Sequence, residues 1–179
     1  ESSARNHRLT LWPTGRVISS AVPLGLKISQ LLRGIWMGME TTILIDSGPI
    51  VSLINQRDTH HTWCLSQFEI FTNPLRTCDA VVSEAFFLLK RHTPDGASRF
   101  AEMIRRGIIV SDFKLQPVAS RVMDLMKKYQ DLPTSFADVC LVAMAERYAD
   151  VKIWTLDTDF RIYRSKDRRV IPLILPDGR

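Results

Sequence analysis

Ile43, Leu44 and Ile45 form an apolar run without alternation, followed at once by Asp46, Ser47, Gly48 and Pro49. A run of this kind, closed by turn residues, predicts a short strand buried on both faces. Pro49 presets φ for a first helical turn, and Ile50, Val51, Leu53 and Ile54 supply an apolar stripe behind it. The opening unit is strand, acid, helix. Asp58 or Thr59 then heads a short amphipathic helix with Cys64, Phe68 and Phe71 at i, i+4 and i+7, ended before Pro74. Residues Leu75 to Cys78 predict a second strand, Asp79 a cap, and Ala80 to Arg91 a helix. The stretch "DGASRFAEMIRRG" reads as a helix closed by Gly107, with Ile108 to Val110 a third strand. Helices over about Pro117 to Tyr129 and Ser135 to Tyr148 follow, then a strand at Lys152 to Thr155, a short helical turn in "DTDFRIYR" and a fifth strand at Val170 to Leu173. Strands alternating with helices predict an α/β fold: a three-layer α/β/α domain around a central, mostly parallel five-stranded sheet.

Composition narrows this picture. With 179 residues, 45% of them apolar, the chain has enough material for one sizeable core. The net charge of +5 is uneven: residues 1–38 carry five basic residues and one acid, leaving 19 and 18 beyond. The near neutrality of residues 39–179 weakens any argument for nucleic-acid binding from overall charge alone, so local clusters matter more. The odd count of cysteines, Cys64, Cys78 and Cys140, has no CxxC pair and no zinc-site spacing, which argues against a disulfide framework and fits a reducing, cytoplasmic compartment. No apolar run approaches the roughly 18 residues needed to span a bilayer. Residues 1–38 are broken by Pro13, Gly15, Pro23 and Gly25 and are expected to be an extension; Met37 and Met39 directly precede the first strand, and the globular domain is expected over 39–179.

Four acids occupy unusual positions. Asp46 ends the first strand, Asp157 follows the fourth, and Glu84 and Asp138 fall on or beside apolar helix stripes, Glu84 near Val81, Ala85 and Leu88 and Asp138 near Leu141, Val142 and Ala145. Helix capping is a competing account of each strand-end acid, and Ser135 with Asp138 resembles a capping box. If the four converge, mutual repulsion makes the ionised set stable only around a cation. Hard oxygen ligands favour Mg²⁺ or Mn²⁺, and the chemistry implied is metal-assisted hydrolysis of a phosphodiester.

These acids and their settings resemble the PIN-domain nucleases, in particular the VapC-type toxin branch. The resemblance is carried, in order, by "LIDSGPIVSLINQRDTHHTW", "TCDAVVSEAFFLL", "LPTSFADVCLVAMAERY" and "TLDTDFRIYR". It implies a Rossmann-like PIN fold, endoribonuclease activity dependent on Mg²⁺ or Mn²⁺, frequent homodimers, and often inhibition by a small antitoxin protein. By position, Asp46, Glu84, Asp138 and Asp157 match the acidic catalytic and metal-binding set, and Asp159 the additional acid. Ser47 and Thr155 match hydroxyl residues that orient the carboxylates. Gly48 stands where many relatives carry a polar or small side chain.

The cluster Arg161, Arg164, Lys166, Arg168 and Arg169 has two readings, a solvated charged face or a phosphate-binding rim for RNA. His60 and His61 head a helix and are not needed by an oxygen-ligand metal, while Met123, Met126 and Met144 read as core or interface filler. Two further function classes compete with the nuclease. One is a non-catalytic module of the same fold that binds RNA or a protein; the other is an aspartyl-nucleophile phosphatase, weakened because Gly48 stands where such enzymes carry a second acid.

Overall fold

The computed structural model describes residues 41–176, which lie within a compact unit spanning Met39–Arg179. The expected extension at 1–38 lies outside the described residues.

Five strands form the sheet: β1 (Thr42–Ile45), β2 (Leu75–Thr77), β3 (Ile109–Ser111), β4 (Val151–Trp154) and β5 (Leu173–Ile174). Their spatial order is β3-β2-β1-β4-β5, and every neighbouring pair is parallel. Among the described residues six α-helices accompany them: α1 (Ser47–Ile54), α2 (His61–Ile70), α3 (Asp79–His92), α4 (Gly96–Arg105), α5 (Ala119–Lys128) and α6 (Phe136–Ala145). The arrangement is the expected three-layer α/β/α domain. Among the described residues no helix is long and apolar enough to cross a membrane.

Local chemistry sets the boundaries. Asp46 caps α1 in extended backbone, its carboxylate accepting from Ser47 N. Gly107 turns the chain after α4 at φ +68°, a left-handed conformation that a side chain would strain. The N-cap of α3 is Cys78 rather than Asp79; Asp79 is the first helical residue and its carboxylate accepts from Ser111 Oγ, tying α3 to the end of β3. The fifth strand begins later than its β-branched run suggests. Val170 instead bridges back to Arg164 in an antiparallel turn, so only Leu173 and Ile174 reach the sheet.

The core runs along both faces of β1 and β4. Leu44, Ile45, Ile153 and Trp154 are fully buried, and α6, packed against both strands, is buried from Ala137 to Ala145. Helix α1 contacts α2, α3 and α4. The cysteines are free and buried, as small core residues are. Met144 belongs to the core and Met126 packs against it, whereas Met123 is largely exposed.

The strand order has one consequence for function. The chain moves outward from β1 to β2 and β3, then returns to the opposite side of β1 with β4 and β5. The reversal point therefore lies between the carboxyl ends of β1 and β4, where an open α/β sheet leaves a crevice for ligands.

Candidate active site

Asp46 and Thr155 are the residues that immediately follow β1 and β4, so both stand at this reversal point. The strands are in register, Ile45 opposite Trp154, and Asp46 N continues the ladder by donating to Trp154 O at 3.0 Å. The Asp46 carboxylate is held from two directions: Oδ1 accepts from Ser47 N at 2.6 Å and Oδ2 from Thr155 Oγ1 at 2.7 Å. Capping and site formation are thus the same geometry here. Thr155 Oγ1 also accepts from Asp157 N at 3.0 Å, which links the first acid to the last. Ser47 contributes its backbone N–H to this carboxylate, while Thr155 contributes its hydroxyl.

Asp46 is 6% exposed and, among the described residues, has no cationic partner. Burial above all, with the charges of Asp138 and Glu84 adding to it, pushes its carboxyl up to about 6 against the pull of the Thr155 and Ser47 hydrogen bonds. Asp138 is also buried. It occupies the third position of α6, where the expected capping box is complete: Asp138 N donates to Ser135 Oγ at 3.0 Å and Ser135 N donates to Asp138 Oδ2 at 2.8 Å. Burial raises its carboxyl too, and the charge of Asp157 adds to the rise.

The other acids lie at the solvent edge. Glu84, expected on or beside the apolar stripe of its helix, is exposed: Val81, Ala85 and Leu89 take the buried stripe of α3 and leave Glu84 on its solvent flank. Among the described residues its side chain makes no hydrogen bond or ion pair, yet its charge reaches Asp46. Asp157 is exposed and caps the 3-10 turn Thr158–Arg161, accepting from Asp159 N at 2.8 Å. Asp159 is half-buried beside it. Glu84, Asp46, Asp138 and Asp157 therefore form a chain of electrostatically coupled carboxylates, none paired with lysine or arginine among the described residues. Among the described residues no three Asp, Glu, His or Cys side chains are gathered into a ready-made metal-binding group. The donor set still fits a hard divalent cation that keeps part of its hydration shell, because all the donors are carboxylate oxygens and the two buried ones lack a counter-charge.

Several supporting residues carry no motif. Thr77 Oγ1, fully buried at the end of β2, donates to Ile45 O at 2.8 Å and so fixes the carbonyl just before Asp46. Tyr163 approaches Asp138 from the segment after β4, a contact signalled in sequence only by Phe160 and Tyr163 at i and i+3 behind the acids. His61 is structural: its Nδ1 bonds Ser52 O of α1 at 2.7 Å.

The basic cluster separates on inspection. Arg164 is half-buried and its guanidinium donates to the carbonyls of Arg161 and Tyr163, so it serves the backbone. Arg161, Lys166, Arg168 and Arg169 are exposed. Lys166, Arg168 and Arg169 lie on a tight antiparallel turn closed by the Arg164 and Val170 bridge, with Ser165 N donating to Arg169 O at 3.0 Å and Arg168 in left-handed backbone at φ 59°. The Arg169 guanidinium has a loose partner in Asp167, at 3.9 Å.

Comparison with curated protein sequences gives no match. Among solved structures, the fold is similar to that of VapC20 from Mycobacterium tuberculosis, described as a toxin that cleaves the sarcin-ricin loop, with a TM-score of 0.61 and 16% identity over 66% of this chain and 92% of that one. The model of the PIN domain matches residues 43–166, which span the strand-end acids, α3, α6 and the basic turn's first residues. By that match, and with the parallel sheet and strand-end acids in agreement, the chain belongs to the PIN domain family.

Proposed function

We propose that this protein is an endoribonuclease that hydrolyses RNA phosphodiester bonds with Mg²⁺ or Mn²⁺, and that it is the toxin of a toxin-antitoxin pair. The observation that carries the reading is the pair of buried carboxylates, Asp46 at the sheet's reversal point and Asp138 at the amino end of α6, both with raised proton affinity and, among the described residues, neither in an ion pair with a cationic side chain. Asp46 and Asp138 would hold the ion, with Glu84, Asp157 and Asp159 on its open side. When bound, the ion supplies Lewis acidity for the attack of water on phosphorus.

The protein's own groups do the rest. Thr155 and Ser47 fix the direction of the Asp46 oxygens, and the capping box does the same for Asp138, so the carboxylates need little reorganisation when a substrate arrives. Arg161, Lys166, Arg168 and Arg169 draw the RNA backbone toward the acids by charge, a contribution that falls with salt. Arg164 is left out of that role because its guanidinium is engaged. A toxin of this kind acts in the cytoplasm, as a homodimer and under the control of a small antitoxin protein; the VapC20 likeness supports RNA as the substrate class.

Cleavage of a mixed structured RNA pool by the full chain, with Mg²⁺, Mn²⁺ or EDTA and beside Asp46→Asn, tests the proposal. Metal-dependent cuts lost in the variant are expected. Cuts that persist undiminished in Asp46→Asn would show that the site is wrongly assigned, and RNA binding with neither cleavage nor metal uptake would indicate a non-catalytic binding module.

A further inference from the structure

Tyr163 is 1% exposed, and its hydroxyl lies between two oxygens: Thr134 Oγ1 at 3.1 Å and Asp138 Oδ2 at 3.5 Å. Its ring is gripped edge-on by Tyr129, with centroids 5.0 Å apart, and by Phe160 at 5.2 Å. Phe160 belongs to the 3-10 turn Thr158–Arg161, which contains Asp159 and is capped by Asp157. Tyr129 in turn accepts from Arg164 N at 3.0 Å, so the same aromatic group also anchors the start of the basic turn. The phenol therefore bridges the two acid-bearing segments, the amino end of α6 and the turn after β4.

The hydroxyl has one proton and two acceptors within reach. Thr134 Oγ1 directs its own proton at Tyr129 O, 3.3 Å away, and is free to accept from Tyr163. The approach to Asp138 is long for a hydrogen bond and shortens only if the phenol proton turns from Thr134 to the carboxylate. An aromatic core residue needs no such hydroxyl, since phenylalanine would make the same ring contacts.

We propose that Tyr163 is a positioning residue for Asp138: its hydroxyl aims the Oδ2 atom and ties it to the turn bearing Asp157 and Asp159, so that the acids meet a divalent cation as one set. This rests on the metal-dependent reading of the site. Groups that orient metal-binding carboxylates typically change metal affinity by about 10 to 100-fold when removed, and the 3.5 Å separation points to the lower end of that range.

The test is Mn²⁺ binding to the full chain by calorimetry at neutral pH, for wild type, Tyr163→Phe, Thr134→Val and Asp46→Asn, with metal-free thermal melts beside each. Tyr163→Phe keeps the ring contacts and leaves Thr134 its Tyr129 carbonyl, so its metal-free melt should stay close to wild type while Mn²⁺ affinity drops about tenfold. Thr134→Val leaves the phenol proton only Asp138 as acceptor, and its affinity should equal or exceed wild type. Equal affinities for wild type and Tyr163→Phe would overturn the inference, as would equal weakening in both variants, which marks a general loss of packing. A wild type that takes up no Mn²⁺, or takes it up equally in Asp46→Asn, overturns the metal-centre reading itself and this inference with it.

Discussion

Thr155 Oγ1 donates to Asp46 Oδ2 at 2.7 Å, joining residues 109 positions apart in the chain. That bond joins the carboxyl ends of two adjacent parallel strands and holds a buried acid at the point where the strand order reverses. The same hydroxyl receives Asp157 N, so a single threonine supports both strand-end acids.

Removing that hydroxyl should be costly in a specific way. Thr155→Val leaves Asp46 Oδ2 and Asp157 N without their partner, a loss of about 1–3 kcal/mol of stability, while Thr155→Ser should restore most of it. Because the Thr155 bond holds the Asp46 carboxyl down against burial, the valine variant should also shift the acidic limb of the cleavage profile to higher pH. Chemical denaturation and pH-rate profiles check the two parts; a valine variant with an unmoved acidic limb would contradict the role given to this bond.

Asp46 makes metal-free stability depend on pH. Its carboxyl titrates at about 6 in the folded chain against an ordinary value of 3.8, so the folded state holds the proton more tightly. The contribution to stability is fully present below pH 4 and is lost as pH rises through about 6, a loss of about 3 kcal/mol by neutral pH. Asp46→Asn has no such titration. In EDTA the variant should melt close to wild type at pH 4.5 and several degrees above it at pH 8. A difference that does not grow with pH would count against the buried, unpaired state of Asp46.

Divalent cations should reverse that trend. On the proposed metal-centre reading, protons and metal compete for the same carboxylates, so Mn²⁺ should raise the melting temperature more at pH 8 than at pH 5. At a concentration 100 times its dissociation constant, the ion stabilises the folded chain by about 2.7 kcal/mol. Asp138→Asn and Asp46→Asn should each abolish the shift. Persistence of the full shift in either variant would locate the ion elsewhere.

The basic turn offers a separation of folding from binding. Arg168 sits at φ 59°, where a non-glycine residue pays about 1 kcal/mol, so Arg168→Gly should leave the chain slightly more stable. The same change removes one cation, and RNA binding measured against salt should weaken with its log-log slope reduced by about 1. Arg164→Gln should instead lower stability, since its guanidinium holds two backbone carbonyls. An unchanged salt slope in Arg168→Gly would show that the turn does not meet the phosphates.

What the sequence determined by itself is local. An unbroken apolar triplet, a strand-end acid and Pro49 sufficed for β1, the cap and α1, and Ser135 with Asp138 sufficed for the capping box, because each depends on residues within one turn of each other. Alternation of strands and helices likewise settled the layered architecture. The tertiary structure alone decided the order β3-β2-β1-β4-β5, and with it that Asp46 and Thr155 become neighbours, because strand pairing joins segments whose spacing in the chain carries no signal of contact. It also turned Glu84 to the solvent edge, engaged Arg164 with backbone carbonyls, and brought Thr77 and Tyr163 to the site. Periodicity reports which face of an element is buried; which polar group waits on the other side of that face depends on the packing of elements far apart in sequence.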